Sequence, residues 1–293
     1  MKIAVAGTGY VGLVTAVCLA EKGHDVTCVD INLQKIDLLK QGKSPIYEPG
    51  LEELMHKNKD RLTYTADYMD AYRLSDVIII AVGTPEKQDG SANLEYVYEV
   101  AKQIAETAEQ DCIVAVKSTV PVGTNDKIER LIRDNVRNNV SIEVVSNPEF
   151  LSQGTAVKDT LYATRIVLGV ESRNAEKVMR EMYDPFNIPY VITDRRSAEM
   201  IKYASNNFLA LKISYINEIA NLCEIVGANI EDVAKGMGMD PRIGDRFLNA
   251  GIGYGGSCFP KDTKALHWLA NFNDYELKTI KATIEVNENQ KLK

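Results

Sequence analysis

The sequence predicts an α/β fold, a doubly wound parallel sheet followed by a mostly helical second domain. Three observations carry that expectation. Between residues 1 and 193, short β-branched runs alternate with amphipathic segments, as strand–helix–strand units require. One run, Val77-Ile78-Ile79-Ile80-Ala81, is apolar at every position, as suits a strand buried on both faces of a parallel sheet. Beyond about Thr193 the strand-like runs stop and helical spacing takes over.

Taken in order, Lys2 to Ala6 reads as the first strand, Val11 to Lys22 as a helix and Asp25 to Val29 as the second strand. Val77 to Ala81, Cys112 to Val116 and Ile142 to Val145 repeat the strand type, with helical stretches between them. Arg165 to Val170 and Tyr190 to Ile192 read as the last strands, flanking a helix near Ala175 to Met182. Ser197 to Val226 is expected to be one long helix, with Ser197 as N-cap, Glu199 in the first turn and Gly227 at C′. A further helix starts near Ile230, a glycine-dense loop runs from Gly244 to Gly256, another helix starts near Lys261, and Glu276 to Lys293 is helical. The expected domains are 1–195 and 196–293, joined by the long helix. No stop signal precedes Lys293, so the expectation is that the sequence is cut inside its last helix and lacks a further C-terminal domain.

Bulk properties bound the function. A length of 293 residues suits two domains of about 100–200 residues each. Net charge is −7, from 34 Lys and Arg against 41 Asp and Glu. That balance argues against a general nucleic-acid or membrane-surface role, although a local helix N-terminus still holds an anion well. The five cysteines, Cys18, Cys28, Cys112, Cys223 and Cys258, are odd in number and widely spaced, with no CxxC pair. They point to a reducing compartment, with neither a disulfide framework nor a metal site. Met1 leads straight into a strand rather than a signal peptide, and Val77 to Val82, the longest apolar run, is far too short to span a bilayer. The expected location is cytoplasmic.

Gly7-Thr8-Gly9-Tyr10-Val11-Gly12 follows a strand and opens a helix, the context that gives GxGxxG its meaning in a Rossmann-type sheet. Gly7 makes the tight turn, Gly9 lets the backbone approach a pyrophosphate, and Gly12 lets the helix pack on the strand. Asp30 ends the second strand, where an acid accepts from the adenosine ribose and repels a 2′-phosphate, so the expected cofactor is NAD. Two more strand ends, Val82-Gly83-Thr84-Pro85 and Ser118 to Gly123, lie where ligands of such sheets bind, a reading favoured over the plain turn that Gly-Thr-Pro also allows.

Cys258 follows Gly253-Tyr254-Gly255-Gly256-Ser257 and precedes Phe259-Pro260-Lys261-Asp262. Glycines allow close backbone approach, Pro260 suits a first helical turn, and a cysteine at a helix start beside a lysine is in a setting that favours the nucleophilic thiolate. Asp262, about one turn on, is placed to orient the thiol or a water. A structural cysteine behind a flexible loop fits the composition equally well. On the long helix, Lys202 and Asn206 are four apart, on a stripe with Ala198 and Ala210. A lysine and an amide together suit a developing oxyanion, while a solvated face explains the pair about as well.

Together these segments resemble the UDP-glucose/GDP-mannose dehydrogenase family. The resemblance runs from Gly7 to the Val-Asn-Glu-Asn-Gln run at Val286. It rests on Ser118-Thr-Val-Pro-Val-Gly123, Asn147-Pro-Glu-Phe-Leu151, Lys202 with Asn206, Asp240-Pro-Arg-Ile-Gly244 and Gly255-Gly-Ser-Cys-Phe-Pro-Lys-Asp262. The Asp240 segment and the glycines before the cysteine look most like the UDP-glucose branch. What the resemblance implies is a two-step oxidation of a sugar-nucleotide alcohol to a carboxylate with NAD as oxidant. Cys258 would form a thiohemiacetal and then a thioester. Lys202 and Asn206 would steady oxyanions, Asp262 would help activate the hydrolytic water, Glu149 would be acid/base, and Thr119 would position water or cofactor. Glu149, Phe150, Leu151, Gln153, Lys202, Asn206, Gly251, Tyr254 and Gly255 would meet UDP-glucose. Arg242 would reach a phosphate or the sugar across a dimer interface. Gly7, Gly9, Tyr10, Val11, Gly12, Asp30, Lys35, Thr84 and Thr119 would line the NAD side, with Cys258 close by. The long helix, with Phe208, Leu211, Tyr215 and Ile219 at helical spacing, would form a homodimer.

Two departures limit the resemblance. Many members carry a glutamate where this sequence has Gln153, so Gln153 receives no acid/base role, and members have a third domain that covers the UDP moiety. Competing readings are a related UDP-N-acetylmannosamine or GDP-mannose dehydrogenase, a single-step hydroxy-acid dehydrogenase, and a non-catalytic NAD-binding or dimerisation fragment. The single-step enzymes need no cysteine, which sets Cys258 against them.

Overall fold

A computed structural model describes residues 1–293. The chain divides into two compact units, Met1–Thr84 with Asn93–Lys202, and Pro85–Ala92 with Tyr203–Lys293.

The first unit is an eight-stranded sheet in the order β3-β2-β1-β4-β5-β6-β7-β8. Its strands are β1 (Lys2–Ala6), β2 (Asp25–Val29), β3 (Leu62–Thr65), β4 (Val77–Ile80), β5 (Cys112–Val116), β6 (Ile142–Ser146), β7 (Ile166–Gly169) and β8 (Tyr190–Thr193). Its helices are α1 (Tyr10–Glu21), α2 (Leu33–Lys40), α3 (Leu51–Lys57), α4 (Tyr68–Arg73), α5 (Glu95–Thr107), α6 (Thr124–Asn135), α7 (Ala156–Leu161) and α8 (Arg173–Tyr183). The first six strands run parallel. The chain then reverses: Ser146 faces Gly169 antiparallel, and β7 and β8 are parallel to each other. The period of two explains why β4 tolerates no polar residue. Val77 and Ile79 enter one apolar layer with Leu13, Val17 and Met179. Ile78 and Ile80 enter the opposite layer with Val97, Ile104 and Ile128. The sequence pattern does not announce β3. It is a four-residue edge strand paired only with β2, with only Leu62 fully buried, so its apolar signal is weak.

The long helix, α9 (Arg195–Val226), starts two residues before Ser197, and its cap corrects the expectation. Asp194, not Ser197, fills the N-cap role: its carboxylate accepts from the Ser197 amide at 2.8 Å and from the Ser197 hydroxyl at 2.6 Å. A carboxylate one turn ahead reaches the free amides better than a hydroxyl inside the helix. Glu199 serves another helix. Buried, it accepts from the amides of Gly123 (2.6 Å) and Asn125 (2.8 Å), the start of α6, where Gly123 has no side chain to cap them. At the other end of α9, Gly227 takes φ +75° and the Ala228 amide returns to the Cys223 carbonyl, the hydrogen bond of a Schellman stop.

The second unit contains the remainder of α9, α10 (Ile230–Gly238), α11 (Phe259–Phe272) and α12 (Lys278–Gln290). α11 begins at Phe259, two residues before Lys261, with Pro260 in its first turn. α12 stops at Gln290 with Lys291 as C-cap, so the last three residues are outside it and the expected helix through Lys293 is corrected. Residues 85–92 turn back on themselves, the Lys87 amide donating to Ser91, and Glu86 pairs with Lys264 of α11 at 3.0 Å. No helix is long and apolar enough to cross a membrane.

Candidate active site

In the first unit the glycine turn is built as its spacing requires. Gly7 has φ +98°, and a Cβ there would meet the Ala81 carbonyl at 2.7 Å. A Cβ on Gly12 would strike the Gly7 carbonyl at 2.0 Å, so only glycine permits this crossing of helix and strand. Gly9 faces open space and caps α1 without a side-chain partner. The amides of the first turn of α1, at Tyr10, Val11 and Gly12, have no helical carbonyl ahead of them and lie beside a Gly9 without a Cβ, an arrangement that fits a dinucleotide pyrophosphate.

Asp30 follows β2 directly. Its Oδ2 accepts from the Thr8 amide (2.9 Å) and hydroxyl (2.6 Å), and its Oδ1 from the Asn32 amide at 2.9 Å. Lys35 stands 3.8 Å away. Burial raises the pKa of this carboxyl, but the three hydrogen bonds and the Lys35 charge outweigh it, and the net shift is downward. Asp30 is thus held as an anion, with lone pairs left on Oδ1. The ends of β4 and β5 meet: Thr84 donates its hydroxyl to the Thr119 carbonyl at 3.0 Å, and Ser118 donates to Val82 at 2.7 Å. The Tyr10 hydroxyl donates to Glu48, and the Gly154 amide reaches both of them. Burial first, and Glu48 second, push the Tyr10 hydroxyl pKa up.

Glu149 and Lys202 form a buried ion pair at 2.9 Å. The second oxygen of Glu149 accepts from the Leu151 amide at 2.8 Å, which turns the segment after β6 back on itself. The Phe150 ring lies under the Arg165 guanidinium, 4.2 Å from the ring centre, with Lys202 Nζ at 5.4 Å. Gln153 is exposed.

The second unit carries Cys258 at the N-cap of α11. Cys258 is exposed, and the other four cysteines are buried. Its carbonyl accepts from the Asp262 amide at 2.8 Å, and Asp262 is almost fully buried. Asn206 donates to Asp262 at 2.7 Å, Asn207 reaches the Asp262 carbonyl at 3.3 Å, and Lys261 Nζ lies 2.8 Å from the other carboxylate oxygen. Asp262 is therefore anchored on two sides, one turn from an accessible thiol. The α9 stripe is also settled: Ala198, Lys202, Asn206 and Ala210 are all buried, so it is not a solvated face. Tyr254 is buried, while Gly251 and Gly255 are exposed. Arg242 is 88% exposed and bonds to Asp240, two residues away, at 2.6 Å; nothing in this chain receives it at a site.

Sequence reasoning missed Glu48, Asn217 and the partners of Asn287 and Gln290. Glu48 sits in a Tyr-Glu-Pro-Gly turn that reads as an ordinary loop. The amides on α9 and α12 look like polar helix surface, because their partners are distant backbone groups. Asn287 and Gln290 fall within the run at Val286, which was visible as a motif without a role.

The sequence and the fold are similar to those of known proteins. Residues 1–187 match the UDP-glucose/GDP-mannose dehydrogenase family, NAD binding domain, and residues 196–289 match the central domain of the same family. UDP-glucose 6-dehydrogenase YwqF of Bacillus subtilis (strain 168) is 56% identical over 292 residues, 99% of this chain and 66% of that protein. A solved UDP-glucose dehydrogenase from the hyperthermophilic archaeon Pyrobaculum islandicum superposes with a TM-score of 0.95 at 39% identity, covering 98% of this chain and 68% of the other. A ternary complex of GDP-mannose dehydrogenase from Pseudomonas aeruginosa gives 0.80 at 37% identity, covering 99% of this chain and 69% of the other. The chain spans about two thirds of the length of the curated relatives it matches.

Proposed function

The chain belongs to the UDP-glucose/GDP-mannose dehydrogenase family, and on that footing we propose that the protein oxidises C6 of the glucose of UDP-glucose to a carboxylate in two steps. The observation that carries this reading is the pairing of an exposed Cys258 with a buried, amide-anchored Asp262 one turn along α11. A single-step alcohol dehydrogenase has no use for that thiol. NAD⁺, when bound in the Gly7–Gly12 cradle with its ribose at Asp30, supplies the hydride acceptor for both oxidations.

The residues of the chain divide the remaining work. In the first oxidation Glu149 receives the proton of the C6 hydroxyl as the C–H bond gives up its hydride, leaving an aldehyde. The Cys258 thiolate adds to the aldehyde carbon, forming the C–S bond of a thiohemiacetal and keeping the aldehyde on the protein. Lys202 and Asn206 stabilise the oxygen that carries the developing charge. Loss of a second hydride from the same carbon leaves a thioester. Asp262 then takes a proton from water as the water attacks, the C–S bond breaks, and the carboxylate leaves with the thiolate restored. Thr119, tied to Thr84, positions water or cofactor. Glu149, Phe150, Leu151, Gln153, Gly251, Tyr254 and Gly255 hold the sugar nucleotide.

Two further parts of the reading concern partners and place. Phe208, Tyr215 and Leu222 recur seven apart and stand exposed on α9, the face we assign to a homodimer; a monomer in sedimentation of the intact protein removes that assignment. The chemistry suits the cytoplasm, where NAD⁺ and reduced thiols coexist.

The test is NADH formation by the intact protein with UDP-glucose, GDP-mannose and UDP-N-acetylmannosamine, repeated with Cys258→Ser. UDP-glucose should give the highest kcat/KM, with two NADH per sugar, and the serine variant should lose acid formation by a factor of about a hundred or more. Acid formed by the variant at the normal rate excludes Cys258 as nucleophile, and a higher kcat/KM on another sugar reassigns the substrate.

A further inference from the structure

The run Val286-Asn287-Glu288-Asn289-Gln290 has no part in the chemistry above, yet two of its side chains meet the loop before Cys258. Asn287, 1% exposed, holds the Tyr254 peptide from both directions. Its Oδ1 accepts from the Tyr254 amide at 2.7 Å and its Nδ2 donates to the Tyr254 carbonyl at 3.2 Å. Gln290, one turn on, donates to the Gly251 carbonyl at 2.9 Å. The Gly251 amide in turn donates to Asn217 of α9 at 2.7 Å, and Asn221, one turn along α9, donates to Gln290 at 2.9 Å. Residues 251 and 254 therefore have both backbone groups satisfied by amide side chains, in a segment with no sheet or helix of its own.

Between the two held peptides Ile252 is 85% exposed, and Gly253 takes φ +100°, where a Cβ would lie 2.5 Å from Asn287 Oδ1. The glycine is required because the amide lies against it. Tyr254 packs edge-on against Phe259, with ring centres 6.1 Å apart, so its position bears on the first residue of α11. Only Gly255, Gly256 and Ser257 separate Tyr254 from the thiol. An amide side chain suits this task, since its acceptor oxygen and its donor nitrogen are separate atoms that meet the N–H and the C=O of one residue together, with no charge to desolvate.

We propose that Asn287, Gln290 and Asn217 are positioning residues: they clamp the backbone of residues 251–254 and so set the approach of the sugar nucleotide to Cys258. The proposal rests on the reading of Cys258 as nucleophile and of Gly251, Tyr254 and Gly255 as substrate contacts. None of the three amides has a role at the reacting atoms; they act through the loop.

The test uses Asn287→Ala and, nearer the surface, Gln290→Glu, which keeps the acceptor for Asn221 but loses the donor to Gly251. Two readouts are taken. The first is the rate at which iodoacetamide alkylates Cys258, the only exposed cysteine, which needs no turnover. The second is steady-state NADH formation from UDP-glucose. We expect the alkylation rate to change by about threefold or more in both variants, and KM for UDP-glucose to rise about tenfold while kcat falls less than about threefold. The melting temperature of Gln290→Glu should stay within a few degrees of the parent. Unchanged alkylation in both variants overturns the clamp, and so do equal losses in kcat and kcat/KM that follow a fall in melting temperature. If the parent protein makes no NADH from UDP-glucose, the functional reading fails by itself, and the alkylation rates still decide the clamp.

Discussion

Lys202 and Glu149 pair at 2.9 Å with side chains only 5% and 8% exposed, and this joins the start of α9 to the segment after β6. Two charges so far from water are stable only together. Removing one partner leaves the other desolvated, which costs about 3–5 kcal/mol, whereas apolar replacement of both is often neutral. Lys202→Met should therefore destabilise the chain strongly and Lys202→Met with Glu149→Leu much less, as read by urea unfolding. Equal losses in the single and double variants would show that the pair is not the source of the effect. Both variants should be inactive on the proposed substrate, so here stability and turnover separate.

Asp30 should select the cofactor. Its hydrogen bonds from Thr8 and Asn32 and its nearness to Lys35 outweigh burial and hold it ionised, and an anion repels a ribose 2′-phosphate at short range. NAD⁺ should bind more tightly than NADP⁺, and Asp30→Ser should narrow the ratio by about tenfold or more. Calorimetric titration with both dinucleotides measures it, and equal affinities for the parent protein would sink the assignment.

His24 should make the first unit sensitive to mild acid. It is buried, and its Nε2 donates to the Met182 carbonyl at 2.9 Å, which leaves Nδ1 as the deprotonated nitrogen. Burial, the largest cause, pushes its pKa below the ordinary 6.5, against the opposing effect of the Met182 hydrogen bond. The unfolded chain therefore binds the proton more readily than the folded one. The contribution to stability is complete above the unfolded value near 6.5 and falls away as pH drops below it. Unfolding by urea between pH 7.5 and 5.5 should show this loss, and His24→Gln, which keeps a donor for Met182, should flatten it. A parent protein with constant stability over that window contradicts the argument.

The strands show how far local pattern reaches. β1, β2 and β5 have the boundaries read from the sequence: β5 is buried at every position and apolar throughout, and β1 and β2 are short runs rich in small and β-branched residues that start at an exposed Lys2 and Asp25. The GxGxxG turn was equally legible: steric limits at Gly7 and Gly12 act within a few residues of chain and the strand beside them. β3 was not legible, since an edge strand of four residues draws its stability from one neighbour rather than from its own composition. The N-cap of α9 lies three residues before the one the local pattern favours, because Asp194 and Ser197 are both good caps and only the backbone path decides which side chain reaches the free amides.

The sequence by itself determined the class of sheet, the dinucleotide turn, the acid after β2 and the cysteine between a glycine loop and a helix. Each of these depends on spacings of a few residues, so the physics that fixes them is local. Only the tertiary structure decided which polar groups are buried together. Lys202 with Glu149, Asn206 with Asp262, Glu199 with the start of α6, and Asn287 with Tyr254 are separated by 53, 56, 74 and 33 residues. A polar side chain carries no mark of whether it faces water or a partner, because the difference lies in what the rest of the chain brings against it. Burial changes a Lys, an Asn or an Asp from a solvated surface group into one that must be paired.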